Sequence, residues 1–313
     1  MPDAYDAIVT VSLDALAGEF SEYRTHLLGV AYRLTSTLAD AEDAVQEAWL
    51  RLSTVDRSEI RDLKGWLTTV VGRICLDRLR SAAVRRERYT GSWLPEPVVT
   101  PLGGAPGEDP LDTIVRDDGV RMAALIVLDK LTPEQRVAFV LHDAFGVPFD
   151  EIAETLGVSA ATARQYASRG RKAVADANPP PRASLDEQRT VLEHFMAALA
   201  SGDLRAVVRL LHPDVALIGD ADGKARTARQ VIHGADKVAR FLLGLMVRYG
   251  LPLHEVGQAV LVNGDLGVLL PDRPGDGDHL DLTRRVSVFA IRDGKVTGFY
   301  DVANPEKLTR VTL

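Results

Sequence analysis

The clearest pattern of apolar and polar positions runs from Pro148 to Lys172. Apolar residues line one side of a short segment and then recur at three- and four-residue spacing from Ala163 to Val174, so the pattern predicts two helices, each with a buried face. Gly157 marks the turn between them, and Ser159 is a preferred N-cap residue for the second helix. The stretch is interpreted as a helix-turn-helix, with an ordinary helical hairpin as the alternative.

The outward face of the second helix carries side chains that suit DNA recognition. Small, amide, hydroxyl and basic groups there are the types that contact base edges and phosphates from a major groove. The acids Asp150, Glu151 and Glu154 stay on the first helix, which favours DNA binding over a solvated hairpin. The candidate residues of this face are Ala161, Arg164, Gln165, Ser168, Arg169, Arg171 and Lys172.

Three further helices are predicted upstream, one beginning at Glu19, one from Ala39 to Leu52 and one from Leu63 to Arg88. The middle helix concentrates acids on its outer side, around a leucine that the apolar stripe leaves exposed. This arrangement predicts a docking face for a basic partner, although a lone exposed leucine is often unremarkable. The candidate docking residues are Asp40, Glu42, Asp43, Gln46, Glu47 and Leu50.

The helix that begins at Leu63 presents aromatic, polar and basic side chains at helical spacing on one face. Aromatic and arginine side chains suit base stacking and phosphate contact. The alternative is that the tryptophan belongs to the core and the arginines are only solvated. The candidate nucleic-acid residues of this face are Trp66, Thr69, Arg73, Asp77 and Arg80.

Residues 91–118 hold five prolines and four glycines, which predicts an extended linker. Trp93 and Leu94 are out of place in a linker, because each forgoes roughly 1.5–3 kcal/mol of burial if it stays in water. We therefore expect this pair to dock on another part of the chain. Residues 1–17 lack a pattern and are expected to be a flexible lead-in.

From residue 185 onward the pattern changes to two amphipathic helices, a strand at Val215–Gly219, a helix at Ala235–Val247 and then strands. The strands are predicted at Glu255–Val262, Gly267–Leu270, Leu282–Ile291 and Lys295–Asp301. The triplet at 292–294 contains Asp-Gly, a strong hairpin signal, because these residues accept positive φ. Helices followed by antiparallel strands indicate an α+β domain.

Composition limits the class of protein without identifying it. The 313 residues carry a net charge of −7, but residues 61–88 hold eight bases against three acids, so charge is segregated and two different partners are implied. The one cysteine, Cys75, lies in an apolar run, which predicts a core residue and fits a reducing cytoplasm. No apolar bilayer span, signal pattern, phosphate loop or metal cluster is evident, so we expect a cytoplasmic protein without a cofactor.

Taken together, residues 18–178 resemble an extracytoplasmic-function (ECF) sigma factor of the sigma-70 family. The stretch Leu38–Leu50 resembles the helix that docks on the β′ clamp helices of RNA polymerase. Gly65-Trp-Leu and Ile74–Arg80 resemble the helix beside the −10 promoter element. Leu131–Arg136 and the helix-turn-helix resemble domain four, which reads the −35 element.

Residues 185–313 resemble a SnoaL-like domain, a cone-shaped α+β fold, as found in the SigJ-like subgroup of ECF sigma factors. Trp93–Pro97 matches the linker motif of that subgroup. Asp220–Lys224 and Asn304–Leu308 resemble two further motifs, each with substitutions. The regulatory residues that the resemblance implies are Trp93, Leu94, Pro95, Asp220, Lys224, Asn304, Pro305 and Lys307.

The resemblance also implies the domain boundaries and the partners. Domain 2 is expected at 18–90, the linker at 91–118, domain 4 at 119–178, a second linker at 179–184 and the SnoaL-like domain at 185–313. The expected partners are core RNA polymerase, through its β′ clamp helices and β flap, and promoter DNA. Neither a membrane nor a dedicated anti-sigma factor is expected.

Two rival hypotheses stay open at this point. In the first, the C-terminal cone is an enzyme or a receptor for a small ligand, with general acids and bases in one pocket. Its candidate residues are His212, Asp214, Asp220, His233, Asp281 and Tyr300. In the second, the chain is a DNA-binding repressor that acts without polymerase, which leaves the acidic helix and Leu50 unexplained.

Overall fold

The N-terminal part of the chain is helical in the computed structural model, which describes residues 4–86, 89–103, 113–114, 118–250 and 257–311. Its first three helices are α1 (Ala4–Thr35), α2 (Leu38–Leu52) and α3 (Leu63–Arg86). The helix α1 extends back to Ala4, so residues 4–17, in which the sequence shows no periodic pattern, are helical. The buried stripe of α2 agrees with the predicted one at Ala41, Ala44, Val45, Ala48 and Leu52, but it also includes Leu38, and the predicted Trp49 is only half-buried.

The next helices are α4 (Met122–Leu128), α5 (Pro133–Phe139), α6 (Phe149–Leu156) and α7 (Ala160–Ala177), with a π-helical turn at Val140–Ala144 after α5. Thr132 caps α5 through a capping box with Gln135. Gly157 adopts φ +69° at the end of α6, a left-handed conformation that glycine adopts without strain. The Ser159 hydroxyl accepts a hydrogen bond from the Thr162 amide at 3.2 Å, as expected of an N-cap. The predicted pair of helices and its turn are confirmed.

The C-terminal part combines three helices with one sheet. The helices are α8 (Leu185–Ser201), α9 (Leu204–Leu210) and α10 (Ala235–Tyr249). The strands are β1 (Val99–Pro101), β2 (Leu211–Asp220), β3 (Ile232–His233), β4 (Gln258–Val262), β5 (Asp265–Leu270), β6 (Arg285–Arg292) and β7 (Lys295–Val302). The Asp293-Gly294 turn has φ values of 51° and 68°, which confirms the predicted hairpin between β6 and β7.

The sheet has the strand order β1-β4-β5-β6-β7-β2-β3 and is mixed. The predicted meander of antiparallel strands is confirmed, because β4, β5, β6 and β7 pair antiparallel in that order. The strand predicted at 215–219 has no partner assigned from the sequence; β2 runs parallel to β7 from Leu217 opposite Phe299 to Asp220 opposite Val302. The pairing joins strands that are far apart in the chain, and local turn signals do not report it. The first residues of the strand predicted at 255–262 and the linker positions 104–112 and 115–117 lie outside the described residues.

The chain divides into two units. Unit 1 comprises residues 1–84, 106–114 and 127–177, and unit 2 comprises residues 85–105, 115–126 and 178–313. Unit 2 has a hydrophobic cluster around Phe195 and Phe289 and another that includes Leu94, Met122 and Val302. Since Leu94 is fully buried and β1 pairs with β4, the first part of the predicted linker is built into the sheet domain.

Candidate polymerase, promoter and linker-binding surfaces

The acidic outer face of α2 is partly neutralised by neighbouring arginines. Arg78 of α3 lies 3.0 Å from Asp40 and 3.5 Å from Asp43, and Arg51 lies 2.5 Å from Glu47. Leu50 stands out of this face with 57% of its surface exposed, so it is available to a partner. We call the six predicted residues the polymerase face. Sequence reasoning missed Arg78, because its partners lie on another helix.

The predicted −10 face of α3, defined as Trp66, Thr69, Arg73, Asp77 and Arg80, contacts helices that follow the linker. The Arg80 guanidinium donates to the Glu134 carboxylate at 3.0 and 3.1 Å. The Thr69 hydroxyl donates to Glu151 at 3.3 Å, and Arg73 donates to the main-chain carbonyl of Glu154 at 3.2 Å. Trp66 is half-buried, and Asp77 is exposed.

The predicted −35 face is solvent-exposed along α7, because Ala163, Ala167 and Gly170 turn to the core. Gly170 has a packing role, since a Cβ at that position would lie 2.8 Å from the Phe139 Cβ. Within the face, the Arg171 guanidinium lies 2.7 Å from Asp143, and this hydrogen bond raises the arginine pKa. All seven predicted residues are exposed on this one helix.

The three short motifs of unit 2 meet around one buried cation. The Lys307 ammonium lies 2.6 Å from the Asp220 carboxylate, donates to the Leu94 carbonyl and stacks 4.0 Å from the centre of the Trp93 ring. Asp220 also accepts a hydrogen bond from the Leu94 amide at 2.6 Å. The Asp220 carboxylate thus binds the main-chain amide of Leu94, and the Lys307 ammonium binds its carbonyl, while the leucine side chain packs in the core.

Tyr89 and Asn304 complete this arrangement. The Tyr89 hydroxyl donates to Asp220 and accepts from the Asn304 amide at 2.8 Å. Burial raises the pKa of Tyr89, and the hydrogen bond to Asp220 raises it further. Asn304 also caps the short turn at Pro305–Lys307 through the Glu306 amide at 3.1 Å. We call Tyr89, Trp93, Leu94, Asp220, Asn304 and Lys307 the linker anchor.

The other predicted regulatory residues surround the anchor. Pro95 is buried beside Leu94, and Pro305 opens the short turn. Lys224 is more exposed and bridges Asp222 at 3.0 Å and Glu306 at 2.8 Å; the hydrogen bond to Glu306 is the main cause of its raised pKa. The sequence identified these motifs but not Tyr89, which carries no motif signal of its own.

A second set of hydrogen bonds fixes the linker a few residues after Leu94. The fully buried side chain of Asn263 accepts the Val98 amide at 3.1 Å and donates to the Val120 carbonyl at 2.8 Å. One amide side chain therefore ties two separated segments of unit 2 to the turn between β4 and β5. Its φ of +52° fits that turn, since asparagine tolerates the left-handed region.

An apolar cavity of about 60 Å³ lies between α8, α10 and the sheet in unit 2. Its walls include Leu199, Phe241, Leu245, Met246, Tyr249, Leu270, Phe289 and Phe299. At its polar edge, Asp301 accepts hydrogen bonds from Thr227 at 2.7 Å, Ser287 at 3.1 Å and Arg285 at 3.2 Å. Three hydrogen bonds therefore hold this carboxylate in place.

The predicted acid and base residues of the cone do not gather in this cavity. None of His212, Asp214, Asp220, His233, Asp281 and Tyr300 is among its lining residues. Asp220 belongs to the linker anchor, and burial raises the pKa of Tyr300 to about 12. Among the residues that the structure describes, no cluster of histidine, cysteine and carboxylate side chains could hold a metal ion.

Cys75 is a core residue, as predicted, and burial raises the pKa of its thiol to about 12. No helix in the described part of the chain is both long and apolar enough to cross a bilayer.

Comparison with models of protein families identifies three known domains in the chain. Residues 20–85 match the model of Sigma-70 region 2, residues 122–174 match Sigma-70 region 4, and residues 192–299 match the SnoaL-like domain. The chain belongs to the ECF sigma factors, since relatives of that class are 52% and 36% identical to it, and it is an RNA polymerase sigma factor that carries a SnoaL-like domain. This excludes the polymerase-independent repressor as its class.

Relatives extend the match over almost the whole chain. The ECF RNA polymerase sigma factor SigJ of Mycobacterium tuberculosis (strain H37Rv) is 52% identical over 93% of this chain and 92% of that relative. A probable ECF RNA polymerase sigma factor SigI of Mycobacterium tuberculosis (strain CDC 1551) is 36% identical over 74% of this chain and 77% of its own length. The crystal structure of M. tuberculosis SigJ matches with a TM-score of 0.78 and 50% identity, over 94% of this chain and 98% of that one.

Proposed function

We propose that the polymerase face binds core polymerase, that the −10 and −35 faces read the two promoter elements, and that the linker anchor sets how effectively they do so. Exposed Leu50 among carboxylates supports the first role, because protein interfaces commonly surround an apolar centre with a polar rim. The seven exposed residues of α7 support the −35 role.

The anchor carries the regulatory part of the proposal. A linker that tethers two DNA-reading domains controls their effective concentration at the promoter. Fixing Trp93 and Leu94 to unit 2 removes part of the free length of that tether. The observation that supports this role is the pair of hydrogen bonds by which Asp220 and Lys307 bind the main chain of Leu94.

In vitro transcription with core polymerase tests this proposal. We would compare the full chain with truncations near Pro180 and near Asn304, and with Trp93→Ala. Both truncations and Trp93→Ala should change promoter output, since each removes part of the anchor. Unchanged output from Trp93→Ala, together with unchanged dependence on the SnoaL-like domain, would contradict the regulatory role.

A second candidate function is binding of a small apolar ligand in the cavity of unit 2, which then modulates transcription. The apolar walls and the three hydrogen bonds that Asp301 accepts favour a neutral ligand over a reaction that needs a free base. We expect xenon or a small aromatic hydrocarbon to raise the melting temperature of the full chain and to lose this effect in Leu245→Trp, which fills the cavity. No shift with either probe would contradict ligand binding in this cavity.

A further inference from the structure

A cleft in unit 2, beside the linker anchor, gathers positive charge that the proposed function does not use. It has a volume of about 620 Å³ and is lined by three arginines, Arg226 and Arg229 between β2 and β3 and Arg248 in the last turn of α10. None of the described residues that line the cleft is acidic. A concave site lined by one sign of charge concentrates counter-ions, so this cleft favours an anion.

The three arginines are exposed, and no hydrogen bond or ion pair of their guanidinium groups is found within the ranges that the structure describes. The neighbouring Lys224 differs, because it pairs with Asp222 and Glu306. Like charges without carboxylates between them repel one another, and an anion bound in the cleft relieves this repulsion. Guanidinium groups bind phosphate oxygens through pairs of parallel hydrogen bonds, so phosphate is an anion that suits this set of side chains.

The segment that carries the first two arginines is fixed by its main chain and by one hydroxyl. The Arg226 carbonyl accepts a hydrogen bond from the Arg285 guanidinium at 3.1 Å, and the Thr227 hydroxyl donates to Asp301 at 2.7 Å. Gly219 of β2 allows this close packing, since a Cβ there would overlap the Thr227 hydroxyl. The main chain beneath the arginines is therefore in place before a ligand binds, which lowers the entropic cost of binding.

The linker supplies another wall of the cleft, through Thr90 and Gly91. The Thr90 amide donates to Asp222 at 3.1 Å, and a Cβ at Gly223 would lie 3.4 Å from the Thr90 side chain. On the other side, a Cβ at Gly91 would lie 3.7 Å from the Arg229 carbonyl oxygen. The cleft is consequently complete only while this part of the linker is docked.

We propose that the cleft binds a small ligand that bears two or more phosphate groups, with the guanidinium groups of Arg226, Arg229 and Arg248 as its cationic contacts. Its volume lies within the range of small-molecule sites, roughly 300–1,000 Å³. Because Thr90 and Gly91 form one wall, the ligand binds the docked linker better than the released linker and thereby stabilises the linker anchor. The site itself goes beyond the proposed function, and only the consequence for regulation rests on it.

Isothermal titration calorimetry of the full chain with pyrophosphate tests the site, with sodium chloride at matched ionic strength as the reference. The cleft pair is Arg226→Gln, Arg229→Gln, and the control pair is Arg205→Gln, Arg209→Gln, which removes two exposed arginines of α9. We expect pyrophosphate to bind the wild type and the control pair alike and the cleft pair about tenfold or more weakly, because charge-assisted hydrogen bonds to phosphate are lost. No binding to the wild type at millimolar concentrations, or an equal loss in both pairs, would overturn the inference.

Hydrogen exchange of residues 89–94 tests the coupling to the linker. The Thr90 and Leu94 amides donate to carboxylates of unit 2, so their exchange reports release of the linker. We expect pyrophosphate at twice its dissociation constant to slow their exchange about threefold in the wild type and not in the cleft pair. Binding without this protection would contradict the place of the linker in the site. Neither measurement uses promoter output, so a failure of the proposed role in transcription is distinguishable from a failure of this inference.

A second variant keeps the test available if the cleft pair does not fold. Arg248→Gln lies on a different element and should also weaken pyrophosphate binding. Duplex DNA of random sequence is the competing class of ligand, and we expect the cleft pair and the control pair to bind it equally. Weaker DNA binding by the cleft pair, in a chain that does not bind pyrophosphate, would overturn the assignment of a small ligand.

Discussion

The Lys307 ammonium and the Asp220 carboxylate lie 2.6 Å apart, with Asp220 fully buried and Lys307 8% exposed. Each also binds the main chain of Leu94, so the ion pair and the linker hold one another in place. Removing either partner of such a buried ion pair destabilises the fold, because the remaining charge is then buried without compensation.

Lys307→Met should therefore destabilise unit 2 by about 3–5 kcal/mol. The measurement is the calorimetric unfolding transition of unit 2, combined with hydrogen exchange over residues 89–98, whose protection should fall. Lys224→Met is the matched control, since Lys224 forms exposed ion pairs and its loss should cost at most about 1 kcal/mol. Equal effects of the two substitutions would contradict the role assigned to the buried pair.

Leu50→Ala should weaken binding to core polymerase about tenfold without unfolding the chain. The side chain is 57% exposed, so its truncation removes little intramolecular packing and should change stability by no more than about 0.5 kcal/mol. Fluorescence anisotropy of the labelled chain with core polymerase measures the affinity. Val247→Ala changes a 78% exposed residue of α10 and is the control, which should leave the affinity unchanged. Wild-type affinity in Leu50→Ala would show that this leucine is not part of the polymerase interface.

Two residues of α7 should separate base reading from phosphate contact. Gln165→Ala should relax sequence preference at one position of the −35 element by about 1–3 kcal/mol, as expected for loss of a base contact. Arg169→Gln should weaken binding to all promoter sequences alike. It should also reduce the slope of log affinity against log salt concentration by about one. Competition binding of the holoenzyme to promoter variants at several salt concentrations distinguishes the two.

Arg171→Gln offers an internal comparison for that experiment. Arg171 already pairs with Asp143 at 2.7 Å, whereas no side-chain partner of Arg169 is found in the described part of the chain. We expect the Arg171 substitution to change the salt slope less than the Arg169 substitution. The reverse order would show that phosphate, not Asp143, is the preferred partner of Arg171.

The sequence predicted features that depend on local periodicity and turn chemistry. The buried stripe of α2, the turn at Gly157 and the hairpin at Asp293 follow from residues close together in the chain, and all are confirmed. The docking of Trp93 and Leu94 follows from the free-energy cost of leaving apolar side chains in water. Leu94 is indeed buried, and Trp93 packs on Lys307.

Features that depend on distant partners were not predictable in this way. The parallel pairing of β2 with β7 and the hydrogen bonds of Tyr89 to Asp220 and Asn304 join residues far apart in the chain, and no local pattern marks them. The contact of Glu134 with Arg80 has the same character. A carboxylate at the start of a helix is common for reasons of capping and dipole alone.

His26 should make the stability of unit 1 sensitive to mild acid. Its Nε2 lies 3.0 Å from the Thr68 hydroxyl, which donates its own proton to the Lys64 carbonyl, so the histidine must be the donor. Burial, together with the positive charges of Lys64 and Arg33, lowers the pKa of His26 to about 4. The folded chain thus holds this histidine neutral at a pH where the unfolded chain protonates it.

The stabilisation from His26 is consequently complete above a pH of about 6.5, the ordinary histidine value, and is lost as the pH falls towards 4. His26→Gln keeps a donor for Thr68 but does not titrate, so its stability should decline less over this range. Urea unfolding of both proteins at pH 7.5 and pH 5 measures the difference, since the carboxylates that also titrate are common to both. A difference in unfolding free energy that is the same at the two pH values would show that His26 is not held neutral by the fold.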